Sequence, residues 1–580
     1  MKKYVLSLII ICSYSSFIAQ TDSEELQVSG NFQVLAQSYN EDSLIRADVP
    51  EELMTLNSFA NIIATKGKFQ AGLRYESYLP SQLGYPENFK GSGIGYRFAS
   101  YTDEGIAITV GNFYEQFGNG LTLRSFEDRN LGLENAMDGV KVVIQPIKGL
   151  TVKGVYGKMR LGFNEGIINS EGFIRGVDGE FSFNQAIEGW KDKKTKVTLG
   201  SSFVSKFQLD DRSDYNLPQN VGTYAGRLNI IRGNWRMMSE YSEKINDPSA
   251  DNSFIFNRGT AILANLTYSQ KGFAISGDVK YIDNYSYRAD RALQGIAPFI
   301  NFMPALTKQH SYMLASQFYA YATQPTGEFA YMGELSYKFK KDTPIGGKYG
   351  TQVNFNYARA TGIEKNKTSS EEFLETAVSY ESPLFSSDGE VYFSDFNAEI
   401  KKKWSKKVKT KFTYFNFIYN NTINQGAPLL NGKQVKGNVY ADVFVLEANI
   451  KTKKKQNLRI VAQALRTNQH QGDWAALVVE YTISPHWNFA IIDNYNFGNN
   501  VMKVSRDEDG EIIQDESGNA VMESAEPKLH YPLGSIAYSK GAHRLSCEYG
   551  KRRAGLFCVG GVCRVVPASN GLTLTLTSSF

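Results

Sequence analysis

The stretch Gly272-Phe-Ala-Ile-Ser-Gly-Asp-Val-Lys-Tyr281 alternates apolar or small residues at odd positions with small or polar residues at even positions. Because successive side chains of a strand point to opposite faces of a sheet, this period of two predicts a β-strand with one apolar face. The segments Gly350–Tyr357 and Leu572–Thr577 repeat the pattern. Strands of about ten residues with one apolar face, repeated along a chain, are typical of transmembrane β-barrels. The sequence therefore predicts an all-β fold, a large single-chain antiparallel barrel in a bacterial outer membrane.

The length of the chain favours a barrel over a soluble domain. A single soluble core rarely grows beyond about 300 residues, whereas this chain has 580 residues and no evident linker. A wide barrel avoids the conflict because its lumen need not be a packed core. Tyr (34) and Phe (36) far outnumber Trp (5), and aromatic girdles at the two membrane interfaces would use them. A propeller is disfavoured because no blade-like repeat is present.

The first residues of the chain have the features of an export signal. Lys2 and Lys3 precede the apolar run Tyr4–Ile11, and small residues follow it. We predict that residues 1–19 form a signal peptide and that residues 20–580 form the outer-membrane barrel. A transmembrane helix needs about 18 consecutive apolar residues, and no later apolar run is that long. Loss of the two lysines lowers the formal net charge from +4 to +2, and this near-neutral balance argues against a nucleic-acid partner.

Short and long connections alternate along the chain. Longer polar connections, among them Leu161–Glu171, separate most of the tight turns, as expected for a barrel with short periplasmic turns and long outer loops. The predicted tight turns lie near Lys66–Lys68, Asp103–Gly105, Lys148–Gly149, Gly233–Asn234, Lys271–Gly272, Trp404–Ser405, Lys453–Lys455, Pro485–His486 and Lys540–Gly541.

The number of strands leaves one segment to be explained. The turns predict roughly 13 strands before Asp283 and roughly 12 from His310 onward, whereas bacterial barrels have an even number. An even count requires one more crossing within Asn284–Gln309, where two prolines disfavour a regular strand. We predict an irregular strand or a segment that passes through the lumen, and a total of about 26 strands within a range of about 22–28. The candidate plug residues are Pro298, Phe299, Phe302 and Pro304.

The segment Cys558-Val-Gly-Gly-Val-Cys563 predicts a disulfide-bridged hairpin. Two adjacent glycines favour a two-residue turn, because glycine accepts positive φ angles. Cys558 and Cys563 then form a non-hydrogen-bonded pair whose Cα atoms are close enough for a bridge. The periplasm and the cell surface are oxidising. A structural disulfide is therefore favoured over a metal site or free thiols, and Cys547 has no partner in the mature chain.

No motif identifies a catalytic or metal site. Asp507, Asp509, Gly510 and Glu516 have spacings that suit positions 3, 5, 6 and 12 of a calcium loop. Ser505 occupies position 1 and strands flank the segment, so an acidic surface hairpin is the favoured interpretation. A glycine-rich phosphate loop, a nucleophile elbow and paired histidines are all missing from the sequence. We predict that the protein is not an enzyme and has no cofactor.

Two segments resemble known barrel families. Gly111-Asn-Phe-Tyr-Glu115-Gln-Phe-Gly118-Asn-Gly120-Leu-Thr-Leu-Arg124, followed by Asp138-Gly-Val-Lys141, resembles a segment of alginate-exporter-type porins, in which a strand ends in a glycine-rich bend. This resemblance covers residues 111–141 only. It implies that three charged residues of this stretch line the lumen, and the alternative is turn glycines with charges at the rim. The candidate lumen-lining residues are Glu115, Arg124 and Arg129.

The carboxy-terminal part, from Tyr549 through Arg564-Val-Val-Pro567 to Phe580, resembles an uncharacterised porin-like family of Bacteroidota outer-membrane barrels. That family implies a fold and a location but no activity. The leading hypothesis is a porin-like channel or transporter of unknown solute. The alternative is a non-transporting barrel subunit of an outer-membrane secretion or assembly complex, whose other subunits would be partners. Outer-membrane lipid and the barrel-assembly machinery are expected partners in both cases, with Phe580 as an insertion signal.

Overall fold

The fold was analysed in a computed structural model, which describes residues 25–47, 49–210, 216–295, 297–368, 379–425, 429–430, 433–434, 437–469, 471–498, 502–505, 507, 511–514, 521–524, 528–559 and 562–580. The proposed signal peptide, residues 1–19, lies outside this part of the chain. The main element is a closed antiparallel barrel of 24 strands, with one further short strand, Leu529–His530, at its edge. Among the described residues, no helix is long and apolar enough to cross a membrane.

The barrel strands follow one another in sequence order around the wall. They are β1 (Gln27–Ser38), β2 (Met54–Lys66), β3 (Phe69–Tyr78), β4 (Phe89–Asp103), β5 (Ile106–Phe113), β6 (Met137–Ile147), β7 (Leu150–Asn164), β8 (Ile167–Ser182), β9 (Thr195–Phe207), β10 (Asn220–Arg232), β11 (Trp235–Lys244), β12 (Gly259–Gln270), β13 (Phe273–Asp283), β14 (Gly327–Lys338), β15 (Thr351–Thr361), β16 (Val391–Lys403), β17 (Val408–Asn420), β18 (Asn438–Lys453), β19 (Gln456–Arg466), β20 (Trp474–Ile483), β21 (Trp487–Asn496), β22 (Leu533–Lys540), β23 (His543–Arg552) and β24 (Ser569–Ser579).

The remaining elements are short and lie in the connections. Two-stranded ladders pair Glu127–Asp128 with Leu133–Glu134, Asn366–Lys367 with Tyr380–Glu381, Leu429–Leu430 with Lys433–Gln434, Met502–Val504 with Met522–Ser524, and Gly555–Val559 with Val562–Val566. The helical turns are Phe183–Ala186, Glu188–Trp190, Ala250–Asn252, Met313–Ser316 and Asn421–Gln425.

The first and last barrel strands close the sheet. Asn31 of β1 is the register partner of Ser579 of β24. Gly30 and Phe580 exchange both backbone hydrogen bonds, with N···O distances of 3.0 and 2.9 Å. The ladder therefore has no open edge at this seam, which is what a sheet needs in order to lie in a bilayer.

The alternation in the sequence places the two sets of side chains as predicted. On β13, Ile275 is 45% exposed on the outer face, whereas Lys280, on the inner face, is 1% exposed. The same outward exposure is found for Phe355, Phe412 and Leu446 on other strands. On these strands the outer surface therefore carries exposed apolar side chains, and polar or charged side chains such as Lys280 point into the lumen.

The predicted tight turns all join adjacent barrel strands at one end of the barrel, where β1 begins and β24 ends. By the rule that periplasmic turns are short, this is the periplasmic end and the long loops lie at the extracellular end. One connection differs from its prediction. Leu161–Glu171 is a tight turn at residues 165–166, because β7 and β8 extend further outward than their neighbours.

The strand count resolves the parity conflict without a crossing in Asn284–Gln309. Thirteen strands precede residue 284, as predicted, but eleven rather than twelve follow His310. The total of 24 lies within the predicted range and two below the central value. The prediction of an irregular barrel strand at Asn284–Gln309 is wrong, since the whole segment belongs to the loop between β13 and β14. The loop is not a strand because its backbone bonds to another loop instead of to a barrel neighbour.

The disulfide predicted for the last outer hairpin is present. Cys558 and Cys563 are register partners in that hairpin, their Cα atoms lie 4.1 Å apart, and the two sulfur atoms are bonded. Cys547, on β23, is a free thiol. The bridge joins the two arms of the connection between β23 and β24.

Candidate functional site

Two extracellular loops fold into the barrel instead of away from it. We call residues 114–136, between β5 and β6, inner loop 1, and residues 284–326, between β13 and β14, inner loop 2. Inner loop 1 enters the lumen beside two short strands of the barrel wall. β5 and β6 end early, and β4 and β7 pair directly above them at Phe89 and Phe163. Buried residues of both loops pack against inward-facing side chains of the wall.

Inner loop 1 is attached to the wall by buried ion pairs. Arg74 on β3 binds Glu127 at 3.0 Å and also contacts Glu134, both in the loop. Glu76, two residues further along β3, binds Arg74 and Arg160 of β7 at 2.7 Å each. The side chains of Arg160 and Glu76 have no exposed surface. Such a buried network is costly to break, because removing one member leaves its partners charged and unpaired.

Gly95 makes room for this network. Nη1 of Arg160 donates to the carbonyl oxygen of Gly95 at 2.6 Å. A methyl group on Gly95 would overlap the carboxylate of Glu76. The absence of a side chain at this position is therefore a requirement of the ion pairs that hold inner loop 1.

The other end of inner loop 1 binds a second part of the wall. Glu115 accepts from Nζ of Lys153 at 2.8 Å and lies 3.4 Å from Nζ of Lys141. Burial alone would raise the pKa of Glu115, but the two lysines outweigh it and hold the pKa below its usual value of 4.5. Asn119 donates to Glu240 of β11 through its backbone and its side chain, at 2.7 and 2.6 Å.

The first part of inner loop 2 binds the wall formed by β10 to β13. The hydroxyl of Tyr287 donates to the carbonyl oxygen of Val221 at 2.9 Å. Nζ of Lys280 donates to the carbonyl oxygen of Pro304 at 2.7 Å and pairs with Glu328 at the same distance. Lys280 therefore connects inner loop 2 to both of the strands that flank it.

The second part of inner loop 2 packs through aromatic rings on a different part of the wall, which includes β17 and β20. Phe318 lies against Trp474, with ring centroids 4.9 Å apart, and Tyr319 lies 5.2 Å from Phe417. All four side chains are buried. Polar contacts also attach this part of the loop. The hydroxyl of Tyr312 donates to Glu447 at 2.9 Å, and His310 pairs with Asp395.

The two inner loops contact each other at the centre of the lumen. The backbone amide of Arg124 donates to Ile300, and that of Phe302 donates to Gly120, both at 2.8 Å. The guanidinium of Arg124 stacks on the ring of Phe302, with 3.9 Å between its carbon and the ring centroid. Asn135 adds a side-chain bond to the carbonyl oxygen of Phe299 at 3.0 Å. The loops therefore form one body, which we call the inner plug.

Below the inner plug, the periplasmic part of the lumen carries a row of alternating charges. Inward-facing side chains of consecutive strands pair along the wall: Lys411 with Glu399 and Glu447, and Arg459 with Glu447 and Glu480. These side chains keep part of their surface exposed. The lumen therefore has a packed extracellular layer and a polar periplasmic layer.

The structure brings together two sets of residues that the sequence suggested separately. Glu115, Arg124 and Arg129 all lie on inner loop 1, and Arg129 pairs with Glu127 and donates to Gln33. Pro298, Phe299, Phe302 and Pro304 lie on inner loop 2, and Phe302 contacts Arg124. Their roles in lining or closing a pore stay predictions.

The ion-pair network at Arg74, Glu76 and Arg160 was not found from the sequence. Glu76 and Arg160 are 84 positions apart, and strand alternation alone classes all three as ordinary inward-facing polar residues. The sequence feature that could have indicated this network is the cluster of charged residues at the outer ends of β3 and β7, next to a loop that contains several Glu residues. In the described part of the chain no group of His, Cys, Asp or Glu could hold a metal ion. The candidate calcium loop falls mostly outside the described residues.

The whole sequence, residues 1–580, matches a family of unknown function, DUF6029, so the chain belongs to that family. No curated protein matches it. Among solved structures, a mutant ferric enterobactin receptor of Pseudomonas aeruginosa in complex with enterobactin is 10% identical, with 96% of this chain and 81% of that chain covered and a TM-score of 0.42. The P pilus usher translocation pore is 6% identical, with coverages of 96% and 99% and a TM-score of 0.39.

Proposed function

Membership of the DUF6029 family brings no activity with it, and we propose from the lumen itself that this protein is an outer-membrane channel or transporter that its own inner plug keeps closed. The observation that supports this proposal is the arrangement of the lumen in two layers, in which a packed extracellular layer covers a polar periplasmic layer. A barrel wider than about 18 strands would otherwise leave an open aqueous passage. The outward-facing apolar side chains support insertion in a membrane.

Passage through the barrel requires the inner plug to move, at least in part. The contact between Arg124 and Phe302 joins the two loops, so displacement of either one opens the centre. The row of charged side chains in the periplasmic layer does not indicate the charge of the solute, because acidic and basic side chains alternate in it. The proposal therefore concerns transport and its closure, and leaves the solute open.

The test is ion conductance of the purified full-length protein in planar bilayers. Replacing residues 297–306 by a short Gly-Ser linker removes the part of inner loop 2 that contacts inner loop 1. The matched control replaces residues 188–193, an exposed stretch in a periplasmic connection. We expect low conductance for the unchanged protein and for the control, and at least a tenfold higher conductance for the inner-loop variant.

Folding is checked by heat-modifiable migration on a gel, which reports a closed barrel. A correctly folded inner-loop variant without increased conductance would contradict the proposal. A high conductance of the unchanged protein would also contradict closure by the inner plug.

One observation favours the alternative function, a barrel subunit of a secretion or assembly complex. The aromatic packing of inner loop 2 on the wall resembles a permanent core more than a gate, and a permanently closed barrel would serve as a scaffold. Co-purification of the intact complex after mild extraction tests this alternative. A stable stoichiometric partner, together with an inner-loop variant that does not conduct, would favour the scaffold over the channel.

A further inference from the structure

A polar cluster lies on the outer, lipid-facing surface of the barrel at its extracellular end. Arg97 of β4 donates from Nη1 to Oδ1 of Asn112 on β5 at 3.0 Å and from Nη2 to Asp138 on β6 at 3.2 Å. Asn169 of β8 donates to the same carboxylate at 3.1 Å. Lys158 of β7 is the register partner of Asp138. Arg97 and Asn169 therefore bind one carboxylate, and Lys158 lies on the neighbouring strand at the same level.

The surroundings of the cluster are apolar. The neighbours on the same face are exposed hydrophobic side chains: Val110, Val140, Tyr156 and Phe173. The rings of Tyr156 and Phe173 stack with centroids 5.9 Å apart, and Nζ of Lys158 lies 4.7 Å from the ring of Phe173. Aromatic side chains are typical of the membrane interface. Asp138 and Asn112 lie next to the ends of β6 and β5 that carry inner loop 1, so the cluster is in the extracellular half of the outer face.

Two amide atoms of the cluster lack partners. Asn112 is fully buried, and its Nδ2 donates to no acceptor within the described residues. Oδ1 of Asn169 is likewise buried and accepts from no donor there. A donor and an acceptor that are buried without partners are unfavourable unless a bound molecule satisfies them. The missing partners are an acceptor beside Arg97 and a donor beside Asn169.

We infer that this cluster binds the headgroup of a phosphorylated glycolipid of the outer leaflet. A phosphate would accept from Arg97, Lys158 and Nδ2 of Asn112, since guanidinium and ammonium groups are the usual protein partners of phosphate. A sugar hydroxyl would donate to Oδ1 of Asn169. Ionisable side chains that face lipid are retained mainly where they have a function. The inference rests on the insertion of the barrel in an outer membrane, as proposed above.

The test is native mass spectrometry of the detergent-purified full-length protein with added lipid A, with dephosphorylated lipid A as the chemical control. We expect one lipid A bound per protein, and at least tenfold weaker binding by the Arg97→Leu/Lys158→Leu double variant and by the dephosphorylated lipid. The matched protein control is Arg258→Leu, which removes an exposed ion pair with Glu243 at the same end of the barrel. This control should bind lipid A like the unchanged protein.

Equal binding by the double variant, or equal binding of dephosphorylated lipid A, would overturn the site. Displacement of lipid A by an equal concentration of inorganic phosphate would overturn it too, since the site would then be an ion site. If the double variant does not fold, Lys158→Leu alone replaces it, because among the described residues this side chain contacts only the ring of Phe173. Conductance is measured on the same samples. Lipid binding without any conducting variant would contradict the channel alone, and conductance without lipid binding would contradict the lipid site alone.

Discussion

Inner loop 1 and inner loop 2 fill the same lumen but are held there by different interactions. Inner loop 1 depends on buried ion pairs, in which Arg74 connects Glu76 of the wall to Glu127 and Glu134 of the loop. The second part of inner loop 2 is held mainly by rings, with Phe318 and Tyr319 packed on β20 and β17. The first kind of attachment is directional and fails when one partner is lost, whereas the second is spread over many weaker contacts.

This difference predicts how each half of the inner plug can be released. Charge changes, acid and ligands that compete for the carboxylates act on inner loop 1. Apolar or aromatic molecules that compete for the ring contacts act on inner loop 2. A channel closed by both loops would then respond to two kinds of stimulus, and each of the following variants separates the two.

The largest effect is expected for Arg74→Leu. The substitution leaves Glu76, Glu127 and Glu134 without one shared cation, and breaking a buried pair costs about 3–5 kcal/mol. Hydrogen exchange of residues 114–136 should become much faster, while that of residues 310–321 stays unchanged. Arg258→Leu, at an exposed pair, should change neither. Equal acceleration in both loops would show that the inner plug opens as one unit, and the comparison would fail.

Phe318→Ala is the corresponding change in inner loop 2. Truncation of a buried Phe costs about 3–5 kcal/mol, and the contact between this ring and Arg553 is lost as well. Protease cleavage within residues 310–321 should increase, with inner loop 1 still protected. Phe412→Ala, which removes an outward-facing ring of β17, serves as the control. Cleavage that appears first in inner loop 1 would contradict the assignment of ring contacts to inner loop 2.

A smaller effect is expected for Arg124→Ala, which removes the stacking between the two loops. Cation–π contacts contribute about 0.5–2 kcal/mol, and the backbone bonds between the loops remain. We expect brief opening events in single-channel recordings, with both loops still attached to their own walls. Long openings like those of the 297–306 replacement would mean that this contact, and not the wall contacts, keeps the inner plug in place.

The smallest effect concerns acid and Glu115. The pKa of this carboxyl is below its usual 4.5 when folded, so its contribution to loop attachment is present above pH 4.5 and decreases as pH falls through the lowered value. Attachment of residues 115–119 should therefore weaken in acid in the unchanged protein. Glu115→Gln should lack this particular pH dependence, which exchange measurements on both proteins at each pH would reveal. The same acid response in both proteins would assign it to other groups.

Most of the barrel can be predicted from the sequence because strands and tight turns depend on residues that are close together in the chain. Alternation within β13 and a glycine turn between two cysteines depend on neighbouring residues only. The ends of β7 and β8 were missed because a polar strand end looks like a loop in the sequence: Asn164 interrupts the apolar pattern although β7 continues to it.

The contents of the lumen depend on contacts that no local rule describes. Prolines correctly marked inner loop 2 as irregular, but the parity argument wrongly required a crossing there, because one strand too many had been counted after His310. Trp474 and Phe318 are far apart in sequence, and each has the apolar character expected of either face. Only the three-dimensional arrangement shows that this apolar set faces inward, onto a loop.

The most direct test of the inner plug is access to the periplasmic layer from outside the cell. Asn354 lies in that layer and donates to Glu399 at 2.6 Å. An Asn354→Cys variant, made with Cys547→Ser to remove the free thiol, is treated on intact cells with a membrane-impermeant maleimide, and permeabilised cells show that the thiol is reactive. We predict no labelling while the inner loops are intact and rapid labelling when residues 297–306 are replaced. Equal labelling of both proteins on intact cells would contradict closure of the lumen by the inner loops.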